Sequence, residues 1–249
     1  LPSHPELLDW LAVELVESKW NIKALLKLIL KSQTFQRSSK VFPSHLELDP
    51  ENIYLSRGPR YRLNAFSIRD KALQASGLIN TKLGGAPVKP YQPAGLWHAV
   101  AVTGRRYRED QGDKLYRKSL YTFSKRTVIP PSQSIFDAVS REVCSVSQQR
   151  TNTALQALNL MNDLTYVEAS NHLGLRMMTH LQGDVEKKLV FGYMTAIGAM
   201  PSSAVISALK DHYREMLDEF KRAPSHAKEL LSTGARKLNN HANPIELAA

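Results

Sequence analysis

Between Ile79 and Gly112 eight of 34 positions are proline or glycine (Gly84, Gly85, Pro87, Pro90, Pro93, Gly95, Gly104 and Gly112), and no hydrophobic period runs through them. Proline donates no main-chain hydrogen bond, and glycine gives up the most backbone entropy in a regular element. No helix or continuous strand is therefore expected there. A loop this long inside a compact domain is uncommon, and is either functional or partly disordered. The core must come from what lies on either side.

Those flanks read as helices. SHPELLDWLAVELVESKW starts with Ser3 as a cap, Pro5 in the first turn and Glu6 completing a capping box, and Leu7, Leu8, Leu11, Leu15 and Val16 recur at helical spacing. Asn21 caps a second helix from Ile22 to about Gln33, with Lys23, Lys27 and Lys31 as its outer edge. Residues 36–59 read as loop. Asn64 opens a third helix, Ala65 to Ser76, which Gly77 closes. Tyr116 to Phe123, YRKSLYTF, is rich in aromatic residues and reads as a short strand. Beyond Thr151 the pattern is helical again: Ala154 to Asn162, Leu164 to Gln182, Val185 to Ile197, Ser203 to Arg222 and Ser225 to Ser232. The expected fold is mainly α, one helical domain over 1–249 with the long Pro/Gly-rich loop and one short β-hairpin. Within it, 57–126 is basic and loop-rich, and 152–233 is a C-terminal helical part.

With 43% hydrophobic and 22% charged residues the chain has the make-up of a globular protein. Its longest apolar runs are broken by lysines, well short of the roughly 20 residues a membrane span needs. The expectation is a soluble chain. Since the sequence opens on Leu1 with no leader behind it, any export signal is expected upstream. The single cysteine, Cys144, excludes an internal disulfide and a CxxCH haem attachment site.

The net charge of +10 is unevenly spread. Residues 1–56 hold 6 basic against 7 acidic side chains, 127–249 hold 12 against 12, and 57–126 hold 15 against 4. The whole surplus sits in the middle 70 residues, where like charges repel unless solvated or met by an anion.

Most catalytic and metal motifs are absent. The eight histidines show no HxH or HExxH spacing, so no metal site is expected. There is no GxSxG, Walker or GxGxxG element. One polar cluster combines Asp137, Arg141, Glu142, Arg150, Asn152 and Gln156. Asp137 and Glu142 are candidates for an acid–base pair. The competing reading is an ion pair on Asp137 and a helix cap at Asn152 or Thr153.

Within the basic segment, arginines alternate with tyrosines and a tryptophan. Arg60, Arg62, Arg69, Lys89, Arg117, Lys125 and Arg126, with Arg150 beyond it, are the candidate anion ligands, and Tyr91, Trp97 and Tyr121 the candidate stacking rings. Guanidinium forks grip phosphate or sulfate, and aromatic faces stack on sugars or bases. Single-stranded nucleic acid would use the same set. So would a structural network of buried arginines that orders the long loop.

Six segments, HPELLDWLAVELVESKWNIKALLKLILKSQTF, RGPRYRLNAFSIRDKALQASGL, LGGAPVKPYQPAGLW, YRKSLYTFSKRT, FDAVSREVC and RTNTALQALNLMND, carry a resemblance over roughly residues 3 to 200. They resemble the PSD-type C-terminal domain of unknown function of large planctomycete proteins, which often carry a planctomycete-type cytochrome c domain. Arg69, Lys89, Tyr91, Arg117 and Gln156 are among the matching positions, and the family assigns them no role. Phe66, His98, Ser124, Ser147, Gln148, Ala154 and Leu164 depart from its pattern. The resemblance implies a fragment of a multidomain, extracytoplasmic protein, associated with breakdown of sulfated polysaccharides. Haem c would sit in a separate domain, with no cofactor in this chain. The expected function is a non-catalytic binding or scaffold module, engaging an anionic polysaccharide or docking the haem domain. A glycan-degrading enzyme using Asp137 and Glu142 is the alternative, and nucleic-acid binding a weaker one that export opposes.

Overall fold

A computed structural model describes all residues except 1, 98–105, 126–127, 141–143, 145–149, 181–182 and 239–241. The fold is mainly α, with eleven helices and no sheet among the described residues. The chain divides into two compact units, 1–62 and 63–249.

In the first unit, α1 (Pro5–Glu17) and α2 (Ile22–Lys31) form a hairpin. Ser3 does not cap α1. His4 holds the cap position without a side-chain cap bond, and the Ser3 hydroxyl lies 3.0 Å from the His4 ring instead. Asn21 caps α2 by accepting from Ala24 N–H at 3.1 Å, and α2 stops two residues early, where Ser32 turns extended. A short α3 (Pro43–Leu48) occupies part of the region read as loop. The turns after it are held by Arg57, whose guanidinium is buried and donates to the carbonyls of Asp49 (2.8 Å) and Pro50 (2.7 Å).

The second unit is organised by α4 (Ala65–Ser76) lying on α7 (Leu164–His180). Asn64 caps α4 and Gly77, at φ 78°, closes it in the left-handed region that glycine enters without strain. Toward the end of α4, Leu73 packs against Leu78, Leu115 and Tyr116. Toward the start of the helix, Ala65 packs with Phe136 and Tyr166. Arg176 on α7 donates to the carbonyls of Gln74 and Ala75, satisfying orphan acceptors at the end of α4. The remaining helices are α5 (Pro131–Ile135), α6 (Ala154–Asn162), α8 (Val185–Ile197), α9 (Ser203–Arg222), α10 (Pro224–Leu231) and α11 (Pro244–Ala248). Of these, α5 and α11 lay in stretches with no helical pattern in the sequence. No helix among the described residues is long and apolar enough to cross a membrane.

The strand expected over Tyr116–Phe123 is two 3-10 turns, Gly112–Tyr116 and Ser119–Tyr121. The reason is side-chain capture. Arg69 and Asp70, adjacent on α4, seize the main-chain groups a strand would use: Arg69 donates to the carbonyls of Leu115 (2.6 Å) and Arg117 (2.9 Å), and Asp70 accepts from Ser119 N–H (2.7 Å). Among the described residues, isolated bridges remain, pairing Asn80 with Arg117, Val88 with Thr122 and Lys125 with Val128.

Candidate functional site

The described parts of the Pro/Gly segment, 79–97 and 106–112, are tied to each other and to Arg117 and Tyr121 by polar contacts. Arg117, 6% exposed, donates to the carbonyls of Lys82 (2.9 Å), Gly84 (2.6 Å) and Ala86 (3.3 Å). Its guanidinium lies 3.8 Å from the ring centre of Tyr121, whose hydroxyl accepts from Gly84 N–H at 2.8 Å. Further along, Val88 N–H donates to Tyr121 O at 2.8 Å and Phe123 N–H to Val88 O at 2.7 Å. Lys89 N–H donates to the Asp110 carboxylate at 2.8 Å, while Asp110 N–H returns a bond to Lys89 O at 2.9 Å. Tyr107 donates to Pro90 O at 2.6 Å.

These ties bring three rings together. Trp97 packs on Tyr107 at 5.3 Å and on Phe123 at 5.9 Å between centroids. Two ammonium groups cover the cluster, Lys125 at 4.9 Å from the Trp97 ring and Lys89 at 5.5 Å from that of Phe123. Such cation–π geometry is worth about 0.5–2 kcal/mol, more as the pair is desolvated. Burial, with Glu109 and Asp110 nearby, raises the Tyr107 phenol above its ordinary value.

Beside the cluster lies a cavity of about 420 Å³, lined by Gln92, Pro93, Ala94, Gly95, Trp97, Arg106, Tyr107 and Glu109. Two buried donors of its wall residues, Gln92 Nε2 and Trp97 Nε1, have no hydrogen-bond partner among the described residues. Leaving a buried donor unmatched costs about 1–3 kcal/mol, and a group so placed calls for an explanation, such as an ordered water or an ion.

The residues singled out in the sequence scatter around this geometry. Lys89 and Lys125 are partly exposed at the aromatic cluster. Arg69 and Arg117 are buried and turned inward to main-chain carbonyls. Burial lowers the Arg69 pKa, and Asp70, 3.9 Å away, opposes that shift. Trp97 is 7% exposed, so its faces are covered by protein. Tyr91 is half-buried, with its hydroxyl on Glu168 at 3.0 Å. In the first unit, Arg60 is exposed and Arg62 half-buried. Arg150 is exposed, and Arg126, Arg141 and Glu142 lie outside the described residues. The structure therefore describes no distance between Asp137 and Glu142.

The Asp137 carboxylate accepts from Thr151 N–H (2.8 Å) and from the Thr151 hydroxyl (3.0 Å). Gln156 is buried and donates to Ile135 O at 2.9 Å, and with Thr153 it forms the capping box of α6. Asn152 is exposed and does not cap that helix. Among the described residues no cluster of three or more His, Cys, Asp or Glu side chains is arranged to hold a metal ion.

Several residues of the site were not legible in the pattern. Gln92 and Arg106 look like ordinary loop residues. Glu168 was hidden inside an amphipathic helix, although it is 1% exposed and accepts from two tyrosines and a main-chain N–H.

Comparison with known families bears on what this fold is. A family model described as PSD1, protein of unknown function (DUF1553), matches residues 1–213. The chain belongs to the PSD1 family. The match takes in both compact units up to the middle of α9, and so includes the whole aromatic cluster and its cavity. No curated protein and no solved structure matches the chain.

Proposed function

We propose that the chain is a non-catalytic binding module that takes an acidic sugar unit of an anionic polysaccharide in the cavity beside Trp97. The observation that carries this reading is the pair of unpartnered buried donors, Gln92 Nε2 and Trp97 Nε1, in a wall shared with Arg106 and close to Lys125. Small-ligand sites typically occupy about 300–1,000 Å³, mostly apolar with a few placed polar groups. A cavity of about 420 Å³ suits a single sugar ring. Arg106 is exposed and offers the fork that grips sulfate or carboxylate. Glu109 in the same wall would accept from sugar hydroxyls. Recognition therefore falls to Gln92, Arg106, Lys89 and Lys125. Trp97, Tyr91 and Tyr121 shape the wall and the loop that holds it.

The surroundings inferred from the resemblance extend this reading: a module of a larger extracytoplasmic protein, with haem c in a different domain. An acid–base role for Asp137 receives less support, because Thr151 already occupies its carboxylate. Affinity electrophoresis tests the proposal, with dextran sulfate against neutral dextran at two salt concentrations. Retardation by the sulfated polymer alone, fading at high salt, is the expected result. Equal behaviour toward both polymers sinks it.

A further inference from the structure

We infer that the α1–α2 hairpin is a self-association surface, joining two copies of this chain through a symmetric four-helix bundle. On α1, Leu7, Leu8 and Val16 lie along one side and Trp10 and Val13 lie among the acidic residues of the other, and all five are exposed. Five large apolar side chains exposed on a helix of 13 residues mark a surface that takes a partner. On α2, Leu25 and Ile29 are half-buried while Ile22, Leu26, Leu28 and Leu30 stay exposed. At about 100° per residue these six span an arc of roughly 200°, twice what one neighbouring helix covers. Neither helix has a single buried residue. Helices of 13 and 10 residues are too short to hold without packing, since isolated helices below about 12–15 residues are marginal in water.

Charge identifies the occupant. Over Pro5–Glu17, α1 carries Glu6, Asp9, Glu14 and Glu17 and no basic residue; over Ile22–Lys31, α2 carries Lys23, Lys27 and Lys31 and no acidic one. In a four-helix ring built from two hairpins, each acidic helix has a basic helix on both sides, one from its own chain and one from its partner. The surface is thus complementary to itself, as a two-fold interface requires. The packing of antiparallel bundles, with helices about 20° apart, accommodates hairpins of this length.

The test is sedimentation of the 249-residue chain over a dilution series, with intrinsic fluorescence read alongside. Two of the three tryptophans, Trp10 and Trp20, lie in this hairpin and are exposed in the single chain. The expected mass is twice 28.0 kDa at high concentration, falling to 28.0 kDa on dilution, with a red shift of emission as the dimer parts. Val13→Glu with Leu26→Glu should give the single-chain mass throughout; both positions are exposed, so the rest of the chain keeps its unfolding transition. Replacing Lys23, Lys27 and Lys31 by Gln should weaken the dimer roughly tenfold, the sum of a few surface ion pairs. A chain of single mass at every concentration overturns the inference. So does a dimer that survives the paired glutamate substitutions, or one indifferent to loss of the three lysines.

Discussion

Tyr116 donates its phenol hydrogen to Glu168 across 2.7 Å, and Tyr91 donates to the other carboxylate oxygen across 3.0 Å. Glu168 is 1% exposed, and its remaining partner is the main-chain N–H of Arg236 at 2.8 Å. The Tyr91 hydroxyl in turn accepts from Ala235 N–H at 2.8 Å. A buried carboxylate is thus solvated by three neutral donors, and the stretch after α10 is fastened to the core through it. Hydrogen bonds to charged groups contribute about 1.5–3 kcal/mol, so Tyr116→Phe should destabilise by that amount. Denaturant unfolding checks it, and a change under 0.5 kcal/mol would mean that Glu168 finds another donor.

The same contact makes Gly234 irreplaceable. Its φ is 103°, and a Cβ there would fall 2.3 Å from the Glu168 carboxyl carbon. Alanine would meet both backbone strain and a clash with a side chain that cannot leave without breaking its own bonds. Each such strain costs about 1–3 kcal/mol. Gly234→Ala should lower the unfolding midpoint and expose residues 232–238 to protease ahead of global unfolding. An unchanged cleavage pattern would count against the fastening.

Arg69→Lys should be as damaging as a larger truncation. The guanidinium reaches the Leu115 and Arg117 carbonyls and the Ser119 hydroxyl at once, whereas an ammonium is a point donor on a longer, freer stem. Losing two buried bonds of this kind costs about 2–5 kcal/mol. Hydrogen exchange should show the two 3-10 turns opening first in the variant, with the α7 amides still protected. Uniform loss of protection would say that α4 and the turns unfold as one body with α7.

How much of this could be read from residues differs by element. Asn64, Gly77, Asn21 and Asp184 act on the chain within one turn of themselves, so the helices they bound were visible in sequence. The strand expected at Tyr116 failed because its fate is decided by Arg69 and Asp70, nearly fifty residues away. The basic segment was visible as a surplus of charge. Which of its members face outward was not, since burial of Arg69 and Arg117 depends on carbonyls supplied by the loop they fold. Gln92 became notable only once Lys89 and Asp110 paired across the loop.

Alkaline pH should unfold this protein from its tyrosines. Burial raises the phenols of Tyr91, Tyr107, Tyr116, Tyr166 and Tyr213, with Glu168 reinforcing the shift at Tyr116. A folded-state pKa above the unfolded one means that the folded chain holds the proton more tightly. The contribution is fully present below about pH 10, the ordinary tyrosine value, and is lost as pH climbs from there toward the raised folded values. Stability should be level up to about pH 9.5 and fall steeply beyond it. Phenolate absorbance should rise in two stages, the second coinciding with loss of helix. One smooth titration before unfolding would contradict the burial of these groups.

Asp137→Asn separates structure from chemistry at the polar cluster. Asp137 sits at φ 59°, a conformation asparagine tolerates as well as aspartate does. The amide oxygen can still accept from Thr151, and the charge-assisted part of that bond is lost. The variant should fold, lose about 1 kcal/mol, and bind polysaccharide unchanged. Release of sugar fragments by the wild type and not by this variant would instead make Asp137 a catalytic acid or base.

The cavity itself predicts opposite signs for stability and binding. Gln92 Nε2 is buried without a partner among the described residues, so the empty protein bears its desolvation and gains nothing from it. Gln92→Met keeps the volume and removes the donor. The variant should therefore unfold no earlier than the wild type, and about 1 kcal/mol later if the donor's burden is relieved in full. Affinity for the acidic sugar should fall roughly tenfold, because a ligand acceptor then meets a thioether. Arg106→Ala should weaken binding by a similar factor with little effect on unfolding, since that side chain is exposed. A destabilised Gln92→Met protein with undiminished affinity would show that the amide serves the loop, and the cavity would then lose its claim on a ligand.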